Sequence, residues 1–124
     1  MDVVVVGSLN MDYILQVPRI PRPGETVLST GMSLSLGGKG LNQAVAAARS
    51  GARVDMIGAV GSDGDAGQML ELFQQEEMGQ EGILRTEGSS GRAWITIDES
   101  GQNAIVVSPG ANGRLTEDWI SQQE

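Results

Sequence analysis

The residues best suited to chemistry stand in two short clusters. The first is Gly37-Gly38-Lys39-Gly40-Leu41-Asn42-Gln43, just ahead of an alanine-rich stretch. Consecutive glycines let backbone N–H groups approach a ligand closely, and a helix N-terminus favours anionic or oxygen-rich groups. Lys39 adds a point charge, and Asn42 adds a donor and an acceptor. The pattern is not a P-loop: no glycine lies five residues before Gly38, and Gly40 stands where Ser or Thr would hold magnesium. The plainer reading is a flexible turn with a solvated lysine. The second cluster is Asn10 and Asp12, just past a run of four valines. Two short polar side chains at that place can fork onto vicinal hydroxyls, the carboxylate as acceptor and the amide as either partner. The plainer reading is an Asx-type turn leaving the strand.

Other polar groups read as structural. Gly61-Ser62-Asp63-Gly64-Asp65 has the composition of a calcium loop but lacks the spacing to a bidentate Glu. It is expected to be a strand-to-helix turn, capped by Asp63 or Asp65. Glu71, Glu76, Glu77 and Glu81 read as a solvated face, and the scattered methionines as core filler.

Composition narrows the chemistry further. The 124 residues contain no Cys and no His, which removes thiolate nucleophiles, disulfides, Cys-type zinc sites and the commonest general base. Acid–base work would fall to Asp, Glu, Lys or Tyr. Sixteen acids against eight bases give a net charge of −8, which argues against sequence-independent nucleic-acid binding. No apolar run approaches the roughly 18 residues of a membrane span, and Met-Asp before the valines lacks a basic n-region. The expectation is a cytoplasmic protein with no membrane and no nucleic-acid partner.

The elements that would position these residues follow from periodicity. The valines at 3–6 predict a strand buried on both faces, ending at Gly7. A short strand is expected over 13–17, then a turn-rich connector through Pro18, Pro21, Pro23 and Gly24. The alternation at 26–28 and 33–36 predicts strands. A helix is expected over 41–50, stopped by Gly51. A core strand at 54–60 and a helix over 63–78 follow, the latter ended by Gly79. Ile83 and Leu84 read as a short third core strand. Strands at 92–97 and 103–108 read as a hairpin with a Gly-containing loop. Thr116 reads as the N-cap of a helix with Glu117 and Asp118 in its first turn. The chain stops as that element begins, which suggests a truncated protein.

Taken in order, these segments resemble the ribokinase branch of the PfkB family of carbohydrate kinases. Gly7-Ser8-Leu9-Asn10-Met11-Asp12 resembles the opening strand and first sugar contacts. Pro23-Gly24-Glu25-Thr26 resembles the entry to the lid. The stretch from Gly37 through Ala52 is similar, nearly residue for residue, to the first family signature. Val60-Gly61-Ser62-Asp63 with Gly67, Ser90-Gly91 with Gly101-Gln102-Asn103, and Gly110-Ala111-Asn112 keep the family order.

The resemblance implies an α/β chain: the N-terminal part of a ribokinase-like α/β/α fold with a small β-sheet lid. Core segments would lie at about 1–10, 37–88 and 109–124, and lid segments at about 12–36 and 90–108. It implies phosphoryl transfer from ATP to the primary hydroxyl of a sugar. Sugar contacts carry over to Asn10, Asp12, Gly38, Lys39 and Asn42, with Gly37 beside them, and Ala93 and Ile95 match lid positions closing over the sugar. The layout is shared by fructokinases, deoxyribokinases, ketodeoxygluconate kinases and nucleoside kinases. The Asn10/Asp12 pair with the glycine-rich segment favours ribose or a close pentose. The family's catalytic aspartate, anion hole and ATP site belong to a downstream signature, as do the expected Mg2+ and monovalent-cation (K+) sites. No catalytic residue and no metal or ATP ligand is therefore assigned here, and the chain alone is expected to be inactive. Paired lids imply a homodimer. A non-catalytic, lid-dimerising, sugar-binding module is the alternative of a different class.

Overall fold

A computed structural model describes residues 2–123. Two sheets organise the chain. The first is parallel, in the order β1–β4–β5, from β1 (Asp2–Val6), β4 (Arg53–Val60) and β5 (Ile83–Arg85). The second has four strands in the order β3–β2–β6–β7, from β2 (Asn10–Gln16), β3 (Gly31–Gly37), β6 (Gly91–Ile97) and β7 (Asn103–Ser108). Helices α1 (Lys39–Arg49) and α2 (Gly64–Gln75) join them, and a 3-10 turn (Gly110–Arg114) leads to α3 (Glu117–Gln122). This is mixed α/β with both parallel and antiparallel pairing, as expected.

The core lies where α1 and α2 cover one face of the parallel sheet. Leu41 and Ala44 from α1, Met69 and Phe73 from α2, and Val5, Val54, Met56 and Val60 from the sheet form one buried cluster. Leu9 and Met11 extend that cluster into the start of β2. The second sheet is thus rooted in the core at one end. Four of the methionines (Met11, Met56, Met69 and Met78) are buried as gap fillers.

Three expectations are corrected. The valine run is covered on one side only: Val5 is buried while Val4 and Val6 are exposed at 62% and 51%. Alternate residues of a strand point to opposite faces, and the helices cover a single face of β1. Residues 26–28 are not a strand, and Leu28 is exposed. The ladder to β2 begins only at Gly31, opposite Gln16, so the preceding segment has no strand to pair with. Finally, α2 ends at Gln75, and the left-handed residue after it is Glu77 (φ 55°). Gly79 instead bridges in parallel to Asp55.

The strand expected over 13–17 forms as β2 from Asn10 to Gln16, so it starts three residues earlier, and the other elements lie close to where periodicity placed them. Thr116 caps α3 by accepting from the Trp119 N–H, and Asp63 caps α2 by accepting from the Ala66 N–H. The β6–β7 loop is closed by Asp98, whose carboxylate accepts from the N–H groups of Ser100 and Gln102.

Candidate functional site

The site is built where the second sheet meets the N-terminus of α1. Asn10 opens β2, opposite Gly37 of β3 and Gly91 of β6. Asp12 lies two residues on, opposite Ser35 and Ala93. Ile95 pairs with Ile14 in the same row. Residues paired across strands share a face, and residues two apart along a strand share it too. Asn10, Asp12, Ala93 and Ile95 therefore lie on one face. Ala93 is buried beside Asp12. Neither Asn10 nor Asp12 sits in a turn; both are ladder residues, so the Asx-turn reading falls.

Gly37 and Gly38 bring α1 to this face. A β-carbon on Gly37 would collide with the Asp12 carboxylate. Gly38 has φ of 100°, a left-handed conformation that suits glycine, and a β-carbon there would lie 2.7 Å from the Ser8 carbonyl. The helix then starts at once: the Leu41 N–H donates to Ser8 O at 3.0 Å, and the Asn42 N–H to Gly38 O at 2.9 Å. Lys39, the only lysine, is exposed and makes no ion pair among the described residues. Asn42 is also exposed, and it borders an open groove of about 600 Å3 shared with Leu36, Leu41, Val45, Ala46, Arg49 and Leu72. That groove opens beside Leu36, a strand neighbour whose side chain points away from the Asp12 face. Asn42 is thus the predicted residue that the geometry ties least closely to Asn10 and Asp12.

The electrostatics of Asp12 set it apart. It is half-buried, and its carboxylate accepts no hydrogen bond from the described residues. Burial penalises the charged form and pushes its pKa above the ordinary aspartate value. An ionisable group held partly out of water with no protein partner is a signature of a ligand site.

The opposite face of the same sheet is tied down. The Tyr13 hydroxyl donates to Asp65 Oδ2 at 2.7 Å, and Arg92 Nε donates to the same atom at 3.1 Å. Arg92 also reaches Asp63 Oδ2 at 3.2 Å. Asp63 further accepts from the Ser90 N–H (2.8 Å) and hydroxyl (2.7 Å). Burial opposes ionisation of Asp63, but the bonds from Ser90 and Ala66 and the Arg92 charge outweigh it and hold its pKa below the ordinary value. The Tyr13 ring stacks on Trp94 with centroids 4.4 Å apart.

Sequence reasoning had no role for Asn112, Ser90 or Arg92. The Leu9 N–H donates to Asn112 Oδ1 at 3.0 Å, and Asn112 Nδ2 donates to Leu9 O (3.0 Å) and Asn10 Oδ1 (2.8 Å). These partners are more than a hundred residues apart, and no local pattern announces such a contact. The one signal available was the position of Ser90-Gly91 and Gly110-Ala111-Asn112 within an ordered motif set.

A strand-borne amide and a carboxylate without a hydrogen-bond partner among the described residues stand on one face, beside a glycine-rich helix entry. A family model described as pfkB family carbohydrate kinase matches residues 1–124. The chain belongs to the PfkB family. It is 40% identical over 121 residues to the ribokinase of Haemophilus influenzae, covering 97% of this chain and 40% of that protein. It is 44% identical over 116 residues to the bifunctional ribokinase/ribose-5-phosphate isomerase A of Fructilactobacillus sanfranciscensis, covering 92% of this chain and 22% of that one. Among solved structures, the ribokinase of Cryptococcus neoformans var. grubii serotype A in complex with ADP superposes with a TM-score of 0.76 at 39% identity, covering 87% of this chain and 34% of that chain. The chain thus spans between about a fifth and two fifths of the length of these relatives. The PfkB family and the ribokinase-like α/β fold expected from sequence are both borne out.

Proposed function

We propose that these residues form the sugar-binding and lid portion of an ATP-dependent sugar kinase whose first candidate substrate is D-ribose. The observation that carries the reading is Asp12: a half-buried carboxylate with no described protein partner, beside an amide on the same strand face. Among the described residues no buried side-chain oxygen lacks a partner, so water reaches the Asp12 carboxylate in the free protein, and in this reading sugar hydroxyls take the place of that water. In this proposal Asp12 accepts from sugar hydroxyls, and Asn10, Lys39 and Asn42 hold further sugar oxygens. Gly37 and Gly38 let the backbone approach, and Ala93 and Ile95 cover the sugar from the lid. The sequence similarity to ribokinases supports ribose over fructose or a nucleoside.

The acidic residues here do not fit a metal or nucleotide. Both oxygens of Asp63 accept from Ser90, Arg92 or the Ala66 N–H, and Asp65 Oδ2 accepts from Tyr13 and Arg92. ATP, Mg2+ and K+ are assigned in this proposal to residues outside these 124. Phosphoryl transfer rests on positioning and charge stabilisation, and these residues contribute the positioning of the acceptor. A homodimer through the second sheet is part of the reading. Leu34, Trp94 and Val106 lie in one row across it with Tyr13, and all three are exposed. Sedimentation that shows only monomer at high concentration would remove that part. Among the described residues no helix is long and apolar enough to cross a membrane; a cytoplasmic location is part of the proposed reading.

The direct test is a chimera in which this segment replaces its counterpart in the Haemophilus influenzae ribokinase. It is assayed for ATP-dependent phosphorylation of D-ribose, 2-deoxy-D-ribose, D-fructose and adenosine. Preference for ribose is expected, with no turnover by the 124-residue chain alone. A folded chimera that prefers fructose or adenosine refutes the substrate, and one that phosphorylates none of them refutes the function.

A further inference from the structure

We infer that Asn112 is a positioning residue that sets the hydrogen-bond polarity of Asn10, so that Asn10 faces the sugar as a donor. The inference rests on the sugar-site reading above and deepens it. The Leu9 N–H can only donate, so the Asn112 atom facing it at 3.0 Å must be the carbonyl oxygen. That places Asn112 Nδ2 against Leu9 O at 3.0 Å and against the Asn10 side chain at 2.8 Å. An amide nitrogen has no acceptor capacity, so the Asn10 atom meeting it must be Oδ1. The Asn10 Nδ2 group is then the one left over, and it takes no acceptor among the described residues.

Asn10 and Asp12 share a strand face, two residues apart. The face therefore offers a fixed donor and, while Asp12 is ionised, a fixed acceptor, rather than two groups of ambiguous polarity. A diol fits this pairing when one hydroxyl oxygen accepts from Asn10 and the neighbouring hydroxyl donates to Asp12. Asn112 itself is held by the 3-10 turn, in which the Ala111 N–H donates to Ser89 O and the Asn112 N–H to Pro109 O. Gly91 leaves the space for the arrangement: a β-carbon there would collide with both Asn112 Nδ2 and Asn10 Oδ1. Backbone polarity at Leu9 is thus passed through Asn112 and Asn10 to the ligand.

A double-mutant cycle separates this role from a merely structural one. D-ribose is titrated by calorimetry into the chain and into Asn112→Ala, Asn10→Ala and the double variant. Asn112→Ala is expected to weaken ribose about tenfold, the scale of one lost hydrogen bond. In the Asn10→Ala background the same change is expected to have little effect on affinity. Equal losses in both backgrounds, or no loss in either, overturn the inference. If Asn112→Ala unfolds, the near-isosteric Asn112→Asp replaces it. Its carboxylate still accepts from Leu9 N–H but cannot donate to Asn10, and a tenfold weakening confined to the Asn10 background is again expected. NMR relaxation of the Asn10 side-chain amide reads the same point without ligand. The group is expected to be ordered in the parent chain and mobile in Asn112→Ala, and unchanged order there overturns the inference. If the parent chain binds none of the sugars, the sugar-site reading fails, and the NMR result alone then decides whether Asn112 orients Asn10.

Discussion

The two faces of the second sheet carry aspartates in opposite circumstances. On one, Asp12 is half-buried without a described hydrogen-bond partner, and burial raises its pKa. Against the other, Asp63 and Asp65 at the start of α2 receive hydrogen bonds from Ala66, Ser90, Arg92 and Tyr13. Asp63 is held below its ordinary pKa despite burial. Strand periodicity makes the contrast possible, because Tyr13 and Arg92 point one way while Asp12 and Ala93 point the other. The lesson is that satisfaction, rather than charge, separates an anchor from a site. A carboxylate held by several donors fixes the sheet on the core, and under the proposed function the one without a described partner is where the sugar binds.

The largest effect expected from this contrast is on stability. Asp63→Ala removes an N-cap, two bonds from Ser90 and one of the two carboxylates that hold Arg92, and should cost about 2–3 kcal/mol in denaturant unfolding. Ribose affinity in the folded fraction should change little. A large affinity loss without destabilisation would reverse the assignment of the two faces. Next is Asp12→Asn, which should weaken ribose by roughly 10- to 100-fold, the scale of hydrogen bonds to a charged group. The same variant should unfold at an equal or higher temperature, because a carboxylate unpaired in the free protein no longer has to be buried. Coincident loss of stability and binding would place Asp12 with the anchors. Gly37→Ala should follow, weakening ribose several-fold by pushing the Asp12 carboxylate aside, with Asp12→Asn suppressing most of its effect in a binding titration.

The smallest and most diagnostic effect is the pH dependence. Asp63 has a lowered folded pKa, so its stabilisation is present above the unfolded aspartate value of about 3.9 and is lost as pH falls through the folded value. Asp12 has a raised folded pKa, so it costs stability at neutral pH, and that cost disappears as pH falls through its folded value. Ribose affinity, which needs the Asp12 anion, should therefore begin to fall at a pH above the point where the Asp63 anchor weakens. Calorimetry and thermal melts across the acid range check the order. Stability that declines before affinity would contradict it.

Much of this was legible in the chain. The alanine-rich run after the glycines, the 54–60 strand, the 92–108 hairpin and the Thr116 cap each rest on local periodicity or local hydrogen bonding, and all of them form. The errors came where a neighbour decides the outcome. Whether four valines are buried on one face or two depends on which helices cover them. Whether residues 26–28 join a ladder depends on where β2 ends. The left-handed turn after α2 fell on Glu77 rather than Gly79, because Gly79 is drawn into a bridge with Asp55.

By itself the sequence determined the α/β character, the family, and the identity of Asn10, Asp12 and the glycine-rich helix entry as the polar residues worth attention. These depend on residue type and short spacing, which the chain displays directly. Only the tertiary structure decided the state of those groups. It put Asn10 and Asp12 on a strand face rather than in a turn, and gave Asp12 no partner among the described residues while binding Asp63 and Asp65. Through Asn112, more than a hundred residues away, it also chose which end of the Asn10 amide is free. Hydrogen-bond satisfaction and amide orientation are properties of what surrounds a group, and in a folded chain those surroundings come from remote segments.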